Sequence, residues 1–497
     1  MRYYSTRDRT RSVSFREAAL TGLAPGGGLF IPEEIPGYRK AVKHSLGSMS
    51  FQDIACETIL PYVEGDVPPS ALEEISAGAF SFPAPLVPVN LERAAFGPLV
   101  LELFHGPTAA FKDFGARFMA RVFSYLRRGE DRPLRILTAT SGDTGGAVAD
   151  GFFGIEGISV TILYPKGRVS ELQEKQIAGL GGNISALAVE GSFDDCQALV
   201  KAAFGDPALR EKLILSSANS INISRLLPQA VYYAAAAGKA LEGRFDGDGE
   251  ATPRGAGFSG PVRSRPESSA QTNPDGGAIF CVPSGNFGNL TAGLYAMSMG
   301  APIAGFIAAT NINKTIPDYL ESGEYQTRLS RPTISNAMDV GAPSNFERMS
   351  AHWTYPDLSR MIRGVWVTDD ETRKTIGTVY QDHGYYLDPH GAVAWTAVQK
   401  LRQGLRACAP AAPDTAGPAA LIPGAASFAQ DVLTAGPMAV LATAHPAKFS
   451  GTVEPLTGPV PIPGSIQNAL GRTARALTIP AELSALRDFL LSAASKL

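Results

Sequence analysis

From about residue 98 the chain repeats a three-part unit: an apolar run, a turn of Gly, Ser and Thr, then a segment with helical periodicity. Few architectures accommodate that rhythm. Apolar runs buried on both faces, each followed by an amphipathic helix, are βα units, and their succession implies an α/β fold with parallel sheets and helices on both faces. Pro98 to Phe104 reads as the first strand, and Phe114, Phe118, Val122, Phe123 and Leu126 share one face of the following helix. Leu134 to Ala139, Ile158 to Tyr164 and Ile184 to Val189 each precede a further helix, so these four units predict one parallel sheet. A second series starts at Ala278 to Pro283, passes SGNFGN and a helix near Leu290 to Met299, and continues with strands at Pro302 to Ala308 and Met438 to Thr443.

A chain of 497 residues exceeds one ordinary core, which suits a multidomain enzyme with its site between domains. Residues 1–95 read mainly as helices and turns, including Gly26-Gly27-Gly28, and form an N-terminal lobe. The divisions that follow are a smaller α/β domain at 96–215 and a larger one at 216–497. Residues 243–277, almost without large apolar side chains, and 409–437, rich in Ala, Pro and Gly, read as surface insertions without catalytic duty.

With 44 basic against 47 acidic residues, a net charge of −3 and no basic stripe, nucleic acid is not expected as a partner. The start, Met1 to Ser5, has no apolar signal core, and no segment supplies the roughly 18 apolar residues of a membrane span, so a cytoplasmic location is expected. Cys56, Cys196, Cys281 and Cys408 are scattered without a CxxC pair, which argues against structural zinc. His383, His390 and His445 lack metal-ligand spacing and read as structural or solvated.

Three strand-to-helix turns carry the chemistry. In HGPTAAFKDFG, Lys112 falls at a helix entrance, where the helix dipole and exclusion of water both depress an amine's pKa; the alternative is a solvated first-turn lysine. In TSGDTGG, the hydroxyls of Ser141 and Thr144 and the amides of a helix start suit a carboxylate-sized anion; the alternative is a helix cap. Asp143 would repel an anion, which leaves it to organise the loop or touch a cofactor. In SGNFGN, glycines permit close backbone approach and the amides suit a phosphate, without the lysine of a Walker loop or a GxGxxG fingerprint. Together they describe a pyridoxal 5'-phosphate site with an amino-acid substrate.

The motifs YYSTR, GLAPGGGLFIP, HGPTAAFKDFG, TSGDTGGAV, YPKGRVSELQEKQ, NSINISRLLPQ, PSGNFGN, NAMDVGAPSNFER and ATAHPAKF run in one order along nearly the whole chain. This set closely resembles threonine synthase, in the longer type found in fungi and enterobacteria. The resemblance implies fold type II of the pyridoxal-phosphate enzymes, shared with tryptophan synthase β, and it matches Lys112 to the Schiff-base lysine. Gly285, Asn286, Phe287, Gly288 and Asn289 match the cofactor-phosphate loop, and Thr443 matches the hydroxyl facing the pyridine nitrogen. Asp143 stands where related enzymes carry an asparagine that holds the substrate carboxylate and the ring hydroxyl.

The reaction so implied is O-phospho-L-homoserine plus water giving L-threonine plus phosphate, the last step of threonine biosynthesis. Lys112 would take protons at Cα and Cβ, phosphate would leave from Cγ, and water would add at Cβ. The substrate phosphate requires a pocket of its own, for which the candidates are His105, Thr108, Lys166, Asn219, Asn222 and Arg225. A monomer is expected from the longer type. The rivals are a dehydratase or phospholyase using the same cofactor, and a binding protein that has lost catalysis.

Overall fold

The computed structural model describes residues 1–89, 99–246, 277–408 and 436–494. Most of both expected insertions, at 247–276 and 409–435, and the junction at 90–98 therefore lie outside the described residues. The strands are β1 (Tyr3–Ser5), β2 (Ser12–Val13), β3 (Phe30–Pro32), β4 (Leu86–Pro88), β5 (Leu99–Glu102), β6 (Leu134–Ala139) and β7 (Ile158–Pro165). They continue with β8 (Ile184–Glu190), β9 (Ile214–Ser217), β10 (Ala278–Pro283), β11 (Ile303–Thr310), β12 (Ile362–Trp366), β13 (Met438–Ala442) and β14 (Ala476–Pro480).

Two sheets with helices beside them confirm the α/β reading. The larger runs β12-β11-β10-β13-β5-β4, parallel except for β4, and the smaller runs β14-β8-β7-β6-β9, all parallel. Strands β6, β7 and β10 are buried at every position, the burial that their continuous apolar runs anticipate.

The expectation of four successive units in one sheet is corrected. Strand β5 pairs with β13, joining the larger sheet, whereas β6, β7 and β8 build the smaller one. Sheet membership is not sequential: residues 99–102, inside the 96–215 stretch, belong to the larger sheet, and 476–480, inside the 216–497 stretch, to the smaller. Local periodicity shows that a segment is a buried strand, but its partner is chosen by pairing over distances that periodicity does not encode.

The N-terminal lobe carries the expected helices at Phe15–Thr21, Lys40–Ser45, Phe51–Val63 and Pro69–Ala79. It also carries an antiparallel sheet, β2-β1-β3, whose strands of two or three residues are too short to show alternation in sequence. The lobe shares its core with the body. Phe80 stacks on Phe118 at 6.1 Å and Phe82 meets Phe114 edge-on at 4.8 Å, so the apolar face of the Lys112–Leu126 helix is covered by N-terminal aromatics.

Candidate functional site

Between the ends of the two sheets lies a cavity of about 770 Å³. Its wall contains Lys112, Ser141, Asp143, Thr144, Asn219, Arg225, Gly285, Asn286, Phe287, Gly288, Asn289 and Thr443. Nine positions singled out from the three turns, together with Asn219, Arg225 and Thr443, thus face one space.

Lys112 is the first residue of its helix, and the preceding loop is fastened to the end of β13. The Phe111 amide donates to the Thr443 carbonyl at 2.8 Å, and the His445 amide donates to the Ala109 carbonyl at 3.0 Å. Lys112 and Thr443 are brought to the same wall by these bonds. Burial lowers the Lys112 pKa; the Asp143 carboxylate, 3.5 Å from Nζ, resists that change, while the Lys448 and Arg225 cations reinforce it.

Gly142 has φ +139°, and a Cβ there would lie 2.4 Å from the Gln173 amide, so the turn into the Asp143–Phe152 helix accepts only glycine. The Thr140 hydroxyl accepts bonds from the Gly142 and Gly145 amides, both at 2.9 Å, which fixes the loop internally. Asp143 is buried and receives Lys448 Nζ at 2.9 Å and Gln173 Nε2 at 3.1 Å on Oδ1. Burial opposes its ionisation, but the Lys448 and Lys112 ammoniums outweigh burial and hold its pKa well below the ordinary carboxylate range.

The 284–289 loop joins β10 to the Gly288–Met299 helix. Phe287 occupies the left-handed region at φ +59°, and a Cβ on Gly285 would lie 2.8 Å from the Ala337 carbonyl oxygen. The first amides of a helix have no intrahelical acceptor, so this entrance is a phosphate-sized cradle. Asn286 accepts the Ser344 amide at 2.6 Å and donates to Ser220 Oγ at 2.6 Å. Asn345 donates to the Asn286 carbonyl at 3.1 Å, and the buried Arg348 guanidinium bonds Asn345, Ile221 O and Phe30 O, which ties the cradle to the N-terminal lobe.

Arg225 is buried on the wall, with one guanidinium nitrogen donating to the Ala218 carbonyl at 2.5 Å and Nε without a protein partner. Burial pushes its pKa down to about 10, against a smaller opposing effect of Asp113. Buried Asn219 Oδ1, Asn289 Nδ2 and His390 Nε2 are likewise unpartnered among the described residues. Four buried polar atoms in one wall, next to a phosphate-sized cradle and a lysine of lowered pKa, fit a polar anionic cofactor and substrate.

Four sequence candidates are not on this wall. His105 bonds Glu102 at 2.7 Å and stacks on Phe104, and Thr108 donates its amide and hydroxyl to Asp113 at 2.9 and 2.5 Å while its carbonyl accepts from Gln176 and Lys448. Asn222 caps the Ile223–Leu226 turn through the Ser224 amide and donates to Ala19 O at 2.8 Å, leaving no group for a ligand. Lys166 pairs with Glu190 at the surface. Each is consumed by a local structural partner that spacing alone does not reveal.

Sequence reasoning in turn missed Lys448 and did not place His390 at the cavity. Lys448 lies inside the ATAHPAKF motif, but nothing local marks it as the partner of Asp143. His390, expected to be structural or solvated, is buried with Nδ1 2.7 Å from Asp388 Oδ1, which is a structural role, and it also lines the cavity. The DPH triplet that opens the Pro389–Cys408 helix was the available signal. Among the described residues no cluster of His, Cys, Asp and Glu is arranged to hold a metal, and no helix is long and apolar enough to cross a membrane.

Models of three protein families match successive stretches: the threonine synthase N terminus at residues 2–80, pyridoxal-phosphate dependent enzymes at 81–409, and the threonine synthase C-terminal region at 424–490. The chain belongs to the threonine synthase family. It is 36% identical over 494 residues to threonine synthase of Escherichia coli, covering 99% of this chain and 100% of that one. The crystal structure of the Escherichia coli enzyme superposes with a TM-score of 0.79 over 99% of this chain and 100% of that one. Threonine synthase from yeast gives 0.80 at 29% identity over 100% and 99%, and the pyridoxal-phosphate-bound threonine synthase from Brucella melitensis gives 0.78 at 32% over 99% and 98%. The likeness spans all three parts of the chain, so the N-terminal lobe is a feature of the family.

Proposed function

We propose that the chain converts O-phospho-L-homoserine and water to L-threonine and phosphate, with pyridoxal 5'-phosphate as cofactor. The convergence of Lys112, two helix-entrance anion loops and buried Arg225 on one cavity carries this reading. When bound, the cofactor supplies an aldehyde for the amine and a sink for charge that develops on substrate carbons. Gly285, Asn286, Phe287, Gly288 and Asn289 are assigned its phosphate, and Thr443 its ring nitrogen.

Lys112 would serve as the base at Cα and, once it has passed that proton on, at Cβ; phosphate leaves from Cγ, which gains a proton, water gives its hydroxyl to Cβ and its proton to the phosphate, and a proton is returned to Cα. Its lowered pKa supports that role, since a base must be uncharged to accept. Ser141 and Thr144, with the amides at the helix entrance, are assigned the substrate carboxylate. Arg225 and Asn219 are assigned the substrate phosphate: a buried guanidinium with a spare donor suits a doubly charged leaving group. His105, Thr108 and Asn222 act at one remove, holding the segments that carry these groups. The two sheets are read as lobes whose approach closes the cavity and excludes water other than the one that adds at Cβ.

The test is incubation of wild type and Lys112→Ala with O-phospho-L-homoserine while threonine and phosphate are measured together. Equal release of both by wild type, and a fall of about 10²–10⁴-fold in both with Lys112→Ala, is expected. Release of a keto acid without threonine would overturn the assignment.

A further inference from the structure

Lys112 and Asp143 make conflicting demands. The reaction needs Lys112 as an uncharged amine, yet a buried carboxylate 3.5 Å away favours the ammonium. Were Asp143 opposed only by Lys112, each loss of the Lys112 charge would leave an uncompensated carboxylate in a buried wall, at a cost that keeps the amine protonated.

Lys448 removes that conflict. Its ammonium is 2.9 Å from Asp143 Oδ1 and donates to the Thr108 carbonyl at 2.8 Å, with its side chain 0% exposed. The carboxylate is thereby divided, Oδ1 to Lys448 and Gln173, Oδ2 to Lys112. Lys448 is not among the residues that line the cavity.

We propose that Lys448 is a positioning residue for Lys112: a buried counter-cation that fixes Asp143 as a carboxylate turned toward Lys112 and balances its charge whenever the amine is neutral. The inference rests on Lys112 being the lysine that joins the cofactor. It explains why an acidic residue stands in a loop that must also approach an anionic substrate, since Asp143 and Lys448 together are neutral. Other titratable groups face the same row. Arg225, on the 223–226 turn, also disfavours a proton on Lys112; His390, on the 389–408 helix, favours the ionised form of Asp143. Asp113 follows Lys112 on its helix, and its carboxylate is occupied by the Thr108 amide and hydroxyl.

The experiment uses the full-length chain freed of cofactor, as wild type, Lys448→Met, Asp143→Asn and the double variant. The rate at which added pyridoxal 5'-phosphate attaches to Lys112 is followed against pH, and the attachment site is verified by borohydride reduction and peptide mapping. The midpoint should rise by about one pH unit or more in Lys448→Met and fall in Asp143→Asn. In the double variant it should lie above that of Asp143→Asn alone, which measures the effect of Lys448 even where Lys448→Met does not fold. Coincident midpoints for Asp143→Asn and the double variant, or a Lys448→Met protein that unfolds at lower temperature with an unmoved midpoint, would reduce Lys448 to a structural part and overturn the proposal. Failure of wild type to attach the cofactor at Lys112 would instead remove the underlying reading.

Discussion

The two anion loops solve the same problem in opposite ways. The 140–146 loop is placed by charge: a buried aspartate is held between two lysines, one of them recruited from a segment after β13. The 284–289 loop has no charged side chain; it is placed by a left-handed Phe287, a tightly enclosed Gly285 and the side chains of Asn286 and Asn345. A loop that must adjust the reactivity of an amine uses ions, whereas a loop that grips a phosphate supplies oriented amides. Damage to the first should alter chemistry and pH behaviour, and damage to the second should alter cofactor retention.

Substitutions can break that contrast. The largest effect is expected for Lys112→Ala, with threonine formation falling by about 10²–10⁴-fold while the fold is kept, measured by product assay and circular dichroism. Asp143→Asn leaves Lys448 buried without its counter-ion and should cost about 3–5 kcal/mol in denaturant unfolding. Because the folded-state pKa of Asp143 is depressed, its stabilisation is present above the unfolded carboxylate pKa near ~4 and is lost as pH falls below it. The acid limb of wild-type stability should therefore be steeper than that of Asp143→Asn.

Gly285→Ala tests the neutral loop. Its Cβ would press on Ala337 O and Met338 Cα, both at 2.8 Å, at a cost of about 1–3 kcal/mol. Weaker cofactor binding, read by equilibrium dialysis, with an unchanged pH profile is expected; a shifted profile would erase the distinction between the loops. The smallest effect is expected for Lys166→Ala, whose ion pair with Glu190 is exposed, and kcat/KM should stay within about twofold of wild type.

The contrast also marks what could be read in the chain. The neutral loop was legible because strand, glycines and helix follow one another in SGNFGN, although its left-handed Phe287 was not. Strands β6, β7 and β10 were legible for the same reason, their apolar runs being bounded by turns. Charge partnership was not. Lys448 binds the carbonyl of a residue 340 positions away, and no spacing rule connects AHPAKF to TSGDTG. Asn222 and Arg225 show the converse error: three apart at a helix entry, they suggested a shared anion, but Asn222 spends its amide on Ala19 and Ser217 while Arg225 alone reaches the cavity. The transfer of β5 to the larger sheet was hidden similarly, since its partner β13 comes more than 300 residues later.

Two lysines address one carboxylate, and the account requires that only one of them reacts. Borohydride reduction of the cofactor-loaded protein, followed by peptide mapping, decides between them. The account predicts the pyridoxyl group on Lys112, with Lys448 unmodified. A pyridoxyl group on Lys448, or on any other lysine in place of Lys112, would contradict it.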